Sequence, residues 1–201
     1  MDLTTVIPPI PTLCGARVRL RALAADDVDA LFALQSDARV MRYWSCVAWT
    51  ERQQAIDHIA RLAREREAME FYPWAATLPG DDTLIGTCSL FDIQREHARA
   101  VIGYALMPAL WGQGLASEML HLTLDFAFNT LDLNRIEADI DPLNLASCAL
   151  IERAGFEREG FLRERWRVGG EVSDTALYGL LSKDWRNAQI GRTPELTHLR
   201  G

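Results

Sequence analysis

The chain offers no cysteine pattern to build on. Cys14, Cys46, Cys88 and Cys148 stand far apart and form no Cys-x-x-Cys pair, which argues against a zinc site and against a disulfide framework. No metal is expected, and a reducing compartment, the cytoplasm, is the expected location. Before Arg17 there is no Lys or Arg, so the segment MDLTTVIPPIPTL lacks the basic start of a secretory signal. No apolar run approaches the length of a membrane span, and no membrane partner is expected. Internal repeats and low-complexity stretches are missing too. Positive charge is in short supply: Lys plus Arg number 21 against 28 Asp plus Glu, a formal charge of -7. Such a chain is a poor general binder of nucleic acid, whose affinity rests on phosphate neutralisation. It suits a cationic partner better, such as an amine or a basic peptide.

What is present fits one globular domain. The chain has 201 residues, 49% of them hydrophobic, enough for a sizeable core. The expected boundaries are a single domain over residues 1–185 and a polar tail over 186–201.

The stretch around which the rest is arranged is Met107–Asp125. Before it, Ala100–Leu106 is apolar, with Val101, Ile102 and Tyr104, and reads as a strand. After it, Leu115, Met119, Leu122, Leu124 and Phe126 recur at near-helical spacing. Between them lies Trp111-Gly112-Gln113-Gly114-Leu115-Ala116-Ser117. Two glycines permit a tight turn and close approach of a ligand. The start of a helix adds unpaired N–H groups and the positive end of its dipole, which together bind phosphate. The stretch therefore reads as an anion cradle, although an ordinary glycine turn without a ligand has the same letters. Gly112-x-Gly114-x-x-Ser117 also half-matches a dinucleotide fingerprint. That rival wants the turn in the first βαβ unit, whereas two helices and three successive strands precede it here.

Residues 1–15, with Pro8, Pro9 and Pro11, read as an extended lead-in. Arg17–Leu23 alternates as a half-buried strand whose arginines face solvent. A helix opens at Ala25 or Asp26 and runs to Ser36. Thr50 caps a second helix over Glu51–Ala68. The aromatic stretch Val40–Trp49 between them walls a cleft or plugs the core. Strands follow at Glu70–Leu78 and Thr83–Ile93 around the turn Pro79-Gly80-Asp81-Asp82. Arg135–Asp141 is a strand with Ile136, Ala138 and Ile140 inward. Asn144 caps a helix that Gly155 ends. Phe156–Trp166 and Ser173–Leu181 form a hairpin through Gly169-Gly170, and Lys183–Gly201 reads as a surface tail.

The order is β-α-α-β-β-β-α-β-α-β-β. With Trp-Gly-Gln-Gly-Leu-Ala after the fourth strand and Asn144-x-x-Ser147 before Gly155-Phe156, the chain resembles the GNAT acetyltransferases over residues 13–185. It looks most like their RimJ/RimL-type branch, which acetylates protein N-terminal amines among other substrates. The cradle departs at its first position, where the family pattern has Gln or Arg and this chain has Trp111. The resemblance implies an α/β fold with a mixed, mostly antiparallel seven-stranded sheet, four flanking helices, and a splay between strands 4 and 5. It implies acetyl-CoA as cofactor, with Trp111 and the amides of Gly112, Gln113, Gly114, Leu115, Ala116 and Ser117 at its pyrophosphate. Leu106, Met107 and Asn144 would meet its arm.

In this family the amine attacks the thioester directly. An amide near Leu106 or Met107 is expected to polarise the thioester carbonyl. Many relatives carry a tyrosine acid where this chain has Ile151, which cannot donate a proton. The RimJ/RimL-type alternative is Ser147, as a hydrogen bond to the leaving sulfur. For the base, the position matching a family glutamate is Trp166, with Glu164 the nearest carboxylate; a water relay stands beside it. Tyr104, His97 and Asp92 read as structural. Tyr43, Trp44, Tyr72 and Trp74 are the candidate acceptor contacts. The weakly equipped base favours a peptide α-amine, which titrates near ~8, over a lysine near ~10.4. A small amine such as a polyamine, amino acid or antibiotic is the same-fold alternative, and a non-catalytic acyl-CoA-binding module is another. A homodimer is compatible with the resemblance, but no stretch marks an interface.

Overall fold

The computed structural model describes residues 10–68 and 71–190. The proline lead-in before residue 10 and the tail beyond residue 190 lie outside the described residues. One eight-stranded sheet carries the molecule. Its strands are β1 (Leu13–Cys14), β2 (Arg19–Ala22), β3 (Tyr72–Leu78), β4 (Asp81–Gln94), β5 (Arg99–Leu106), β6 (Arg135–Ile140), β7 (Glu157–Val168) and β8 (Glu171–Leu181). The helices are α1 (Val28–Ser36), α2 (Ala38–Met41), α3 (Arg52–Ala68), α4 (Leu115–Asp125), α5 (Leu145–Arg153) and α6 (Ser182–Ile190). The expected seven strands are all present; the eighth is the two-residue β1 at the edge.

The sheet runs β1-β2-β3-β4-β5-β6-β8-β7. Every pairing is antiparallel except β5 with β6. That parallel pair covers only Arg99–Val101 against Arg135–Glu137, and beyond it the strands part. The splay expected from the resemblance is therefore built into the ladder. Its closed end is fixed by the amides of Asn134 and Arg135, both donating to the Ala98 carbonyl, at 2.6 and 3.1 Å. Arg99 reinforces it through Glu137 at 2.9 Å.

Two apolar layers cover the sheet. On one side α4, its π-helical extension Phe126–Thr130 and α5 bring Met119, Leu120, Leu124, Phe128 and Ile151 against Ile102, Ile136 and Ala138. On the other, Leu31 and Leu34 of α1 pack with Val40 and Met41 on Ala75, Leu84 and Ala105. A buried pair ties α1 to the sheet: Asp27 takes two hydrogen bonds from Arg21, at 2.8 and 2.7 Å.

Three local expectations change. The α3 entry is closed by Gln54, whose Oε1 accepts from the Thr50 and Glu51 amides at 2.8 and 3.0 Å, rather than by a Thr50 cap alone. Val40 and Met41 belong to the short α2, whose cap is Asp37 accepting from the Arg39 amide. Residues 182–190 are helical, not tail: Trp185 is buried against His121 and Phe128. Apolar burial of one large ring suffices to dock a polar helix.

Candidate active site

The glycine turn leads into α4 as its letters suggest. Gly112 and Gly114 have φ of 73° and 77°, in the left-handed region that only glycine enters cheaply. Gly114 is the residue before the helix, and no side chain caps it. The first amides of α4 therefore lack an intrahelical or capping partner. Residues Trp111 to Gly114 and Ser117 are exposed, and a Cβ on Gly112 would meet nothing within 4 Å. An anion has room and donors here, so the residues present fit a diphosphate.

The parting of β5 from β6 supplies the second half of the site. Met107 donates its amide to the Ile85 carbonyl at 2.9 Å. Hydrogen bonds alternate along an antiparallel ladder, so the amides of Tyr104 and Leu106 point away from β4, into the gap that β6 vacates. Leu106 thus keeps an amide facing the gap. Met107 does not: its amide is spent on β4 and its side chain packs into the α1 layer, which removes it as donor to a thioester carbonyl. Trp111 turns its indole N–H onto the Leu106 carbonyl at 2.7 Å and closes that acceptor.

Ser147 sits in the first turn of α5. Its amide donates to Asn144 Oδ1 at 3.2 Å, and Asn144 is the cap. Its hydroxyl lies 2.6 Å from the Tyr104 hydroxyl. Burial pushes the Tyr104 hydroxyl up to about 12, although the contact with Ser147 pulls the other way. Tyr104 therefore stays protonated at neutral pH, either hydroxyl can be the donor of this bond, and Tyr104 lines the same cleft as Ser147.

A cleft of about 800 Å³ opens beside this pair. Tyr43, Trp44 and Trp166 line it together with Asn144 and Ser147. Its floor carries the outward positions of β6. Glu137 is bound to Arg99 and Arg135, and Glu159 to Arg135. Asp92 meets Arg99 at 3.3 Å, and Asp141 accepts from the Leu143 amide at 2.8 Å. Asp139 is exposed and has no such partner among the described residues. It is a candidate carboxylate absent from the expectations above, although alternation with Ala138 and Ile140 already turned it outward.

Two sets of expected site residues fall elsewhere. Tyr72 and Trp74 are 0% and 1% exposed, stack at 5.6 Å and are edged by Phe126. Trp74 donates its indole N–H to the Pro11 carbonyl at 2.9 Å. They are core, because β3 is an interior strand, and an acceptor cannot touch them. Glu164 has φ of 52° at an irregularity of edge strand β7, and its amide donates to Asp174 Oδ1. It lines a depression with Leu143 and Val172 that adjoins the cleft through Asp141 and Ser173. Glu164 is therefore not among the residues that line the cleft itself. Among the described residues no helix is long and apolar enough to cross a membrane, and no cluster of His, Cys, Asp or Glu is arranged to hold a metal.

A sheet notched between two parallel strands, with an amide cradle beside the notch, is the architecture of an acetyltransferase. The chain belongs to the GNAT acetyltransferase family, whose domain model matches residues 17–157. It is 35% identical to the uncharacterised N-acetyltransferase p20 of Bacillus licheniformis, over 87% of this chain and 98% of that one. It is 24% identical to a spermidine N(1)-acetyltransferase of Vibrio cholerae, over 86% and 98%. Among solved structures, a GNAT-family acetyltransferase from Bacillus anthracis superposes with a TM-score of 0.75 at 24% identity, covering 86% and 99%. A Vibrio cholerae spermidine N-acetyltransferase in complex with CoA and spermine gives 0.77 at 22%, covering 86% and 100%. The protein is an acyltransferase with acetyl-CoA as its donor.

Proposed function

We propose that the chain acetylates a primary amine, and that the amine is the N-terminal α-amine of a peptide or protein. The observation that carries this reading is the cleft itself. Its 800 Å³ are walled by Tyr43, Trp44 and Trp166 and open to solvent, room for several residues of an extended chain. Two of its carboxylates, Asp139 and Asp141, have no cation partner among the described residues, and Asp139 has no hydrogen-bond partner there either. An ammonium would be drawn to the cleft by Asp139, and the neutral fraction left after proton loss to water is largest for an α-amine.

Acetyl-CoA supplies the activated acetyl group as a thioester. The chain contributes the surroundings. The amides from Gly112 to Ser117 hold the diphosphate, and Asn144 borders the arm. The Leu106 amide faces the gap and donates to the carbonyl oxygen as charge develops on it. In this reading Tyr104 takes the donor role, one of the two that its contact with Ser147 permits, which leaves the Ser147 hydrogen free for the departing sulfur. Tyr104 is therefore a positioning residue, since a hydroxyl titrating near 12 is a poor acid for a thiolate near ~8.5. Trp111 takes the place of a cradle side chain and fixes the turn through the Leu106 carbonyl.

A polyamine acceptor is the second reading. It is favoured by Asp139 and Asp141 on neighbouring stretches of the cleft and by the likeness to spermidine acetyltransferases. An acceptor screen by thiol release separates the two. Peptides with varied first residues should outpace spermidine, spermine and free amino acids in kcat/KM. Turnover confined to polyamines would overturn the peptide reading.

A further inference from the structure

One cation at the glycine turn has no part in the scheme above. Arg17 precedes β2 in the chain and reaches across to α4. Its Nη1 donates to the Gln113 carbonyl at 2.9 Å and its Nε to Glu118 at 3.2 Å. Glu118 also accepts from the Arg17 and Val18 amides, at 2.7 and 3.3 Å. A Cβ on Gly114 would stand 3.1 Å from Arg17 Nη2. The guanidinium therefore lies against the turn, half in solvent at 56% exposure. Nη2 has no partner among the described residues.

Glu118 poses the electrostatic problem that this arrangement answers. A carboxylate in the first turn of a helix is favourable for the helix, but it repels an anion at the same terminus. Burial opposes its charge, yet the two amides and Arg17 hold its carboxyl below the usual range, so it is ionised at neutral pH. The whole chain, at a formal -7, adds to the repulsion. Arg17 cancels the nearest negative charge and still presents one edge of its fork.

We infer that Arg17 is a cofactor-binding residue whose free Nη2 edge pairs with the coenzyme's diphosphate at the Gly112–Ser117 amides, and that Glu118 serves by positioning Arg17. This rests on the reading of that turn as the diphosphate cradle. Guanidinium–phosphate contacts are charge-assisted and directional. One such contact at a half-exposed site is worth about tenfold in affinity.

The test is calorimetric titration of the full chain with CoA and with 3′-dephospho-CoA, for the wild type, Arg17→Gln and Glu118→Gln. Turnover of S-acetylpantetheine, which has no phosphate, is measured in parallel. Arg17→Gln is expected to weaken both CoA and dephospho-CoA by about tenfold, to flatten the salt dependence of binding, and to leave S-acetylpantetheine turnover unchanged. Glu118→Gln loses the anchor of Arg17 but also a repelling charge, so it should cost less than Arg17→Gln and likewise leave S-acetylpantetheine turnover unchanged. Equal loss with S-acetylpantetheine would make Arg17 merely structural. A dephospho-CoA affinity spared by the substitution would move the contact to the 3′-phosphate. Wild-type affinity in Arg17→Gln would remove the contact altogether; each of these overturns the inference while the cradle stands. If the wild type itself bound no CoA, the cradle reading would fail first. Should Arg17→Gln not fold, the Nε resonance of Arg17 in the wild type decides: it should move on adding dephospho-CoA and stay fixed with S-acetylpantetheine, and a fixed resonance in both overturns the inference.

Discussion

The hydroxyls of Tyr104 and Ser147 stand 2.6 Å apart across 43 positions of sequence. One comes from the strand that borders the gap and the other from the helix beyond it, so the pair spans the space where a thioester sulfur would leave. In the proposed scheme, removing the Ser147 hydroxyl removes the donor to the sulfur, and removing that of Tyr104 removes what orients it. Tyr104→Phe and Ser147→Ala should each lower kcat by about tenfold, the worth of one hydrogen bond near 1.4 kcal/mol. The double variant should be no slower than the slower single one, because the two act as a unit. CoA affinity should stay within about twofold. Steady-state kinetics with titration calorimetry checks all three, and additive losses would separate the residues.

The same pair fixes a pH dependence. The Tyr104 hydroxyl is pushed from 10.0 up to about 12, with burial as the main cause. Between those values the unfolded chain gives up a proton that the folded chain keeps. Folded protein then binds more protons, so stability falls as pH rises through this window and is untouched below 10. Cys88, buried and pushed up to about 12 from 9.0, acts in the same direction from a lower starting pH. Urea melts from pH 8 to 12 should show the decline, and Tyr104→Phe should make it shallower above pH 10. No ionisation of Tyr104 should appear in kcat below that pH.

Asp139 gives a prediction on the acceptor side. It is exposed, so its contact with an ammonium is screened and worth up to ~1 kcal/mol. Asp139→Asn should therefore cut acceptor kcat/KM about fivefold, with CoA affinity unaltered and a smaller effect at high salt. Initial rates with varied acceptor at two ionic strengths read this out.

Trp74 and Trp44 make a contrasting pair. Trp74 is 1% exposed and packed among Tyr72 and Phe126, so Trp74→Ala should cost about 3–5 kcal/mol of stability. Trp44 borders the cleft; Trp44→Ala should raise the acceptor KM several-fold and cost less stability. Urea unfolding beside acceptor kinetics distinguishes the two.

How far the sequence carried this far depended on the range over which each feature is decided. The turn at Gly112–Ser117 was legible because the need for positive φ at Gly112 and Gly114 is local chemistry. The order of elements was legible from periodicity. Asn144 and Gly155 marked both ends of α5 for the same local reason. Tyr72 and Trp74 misled because alternation tells which residues share a face, not what covers it; Phe126 covers theirs. The placement of Glu164 beside the cleft was not legible, because an irregularity in β7 breaks strict alternation. Arg17 read as a solvated arginine, since only the docking of α4 beside β2 brings Glu118 within reach. Tyr104 could not be paired with Ser147 before α5 was placed over the gap. The short stretch 182–190 carries too little apolar sequence to signal a helix, and Trp185 alone docks it.

The closed end of the gap sets how this sheet breathes. Ala98 is clasped by two amides from β6's entry, and only three residue pairs of β5 and β6 follow before the strands separate. Solvent deuterium should therefore enter β5 as a gradient: slowly at Ala100, fast at the gap-facing amides of Tyr104 and Leu106. A ligand that bridges the wedge would flatten that gradient, and the amount of slowing at residue 106 would report how firmly the missing strand edge has been replaced.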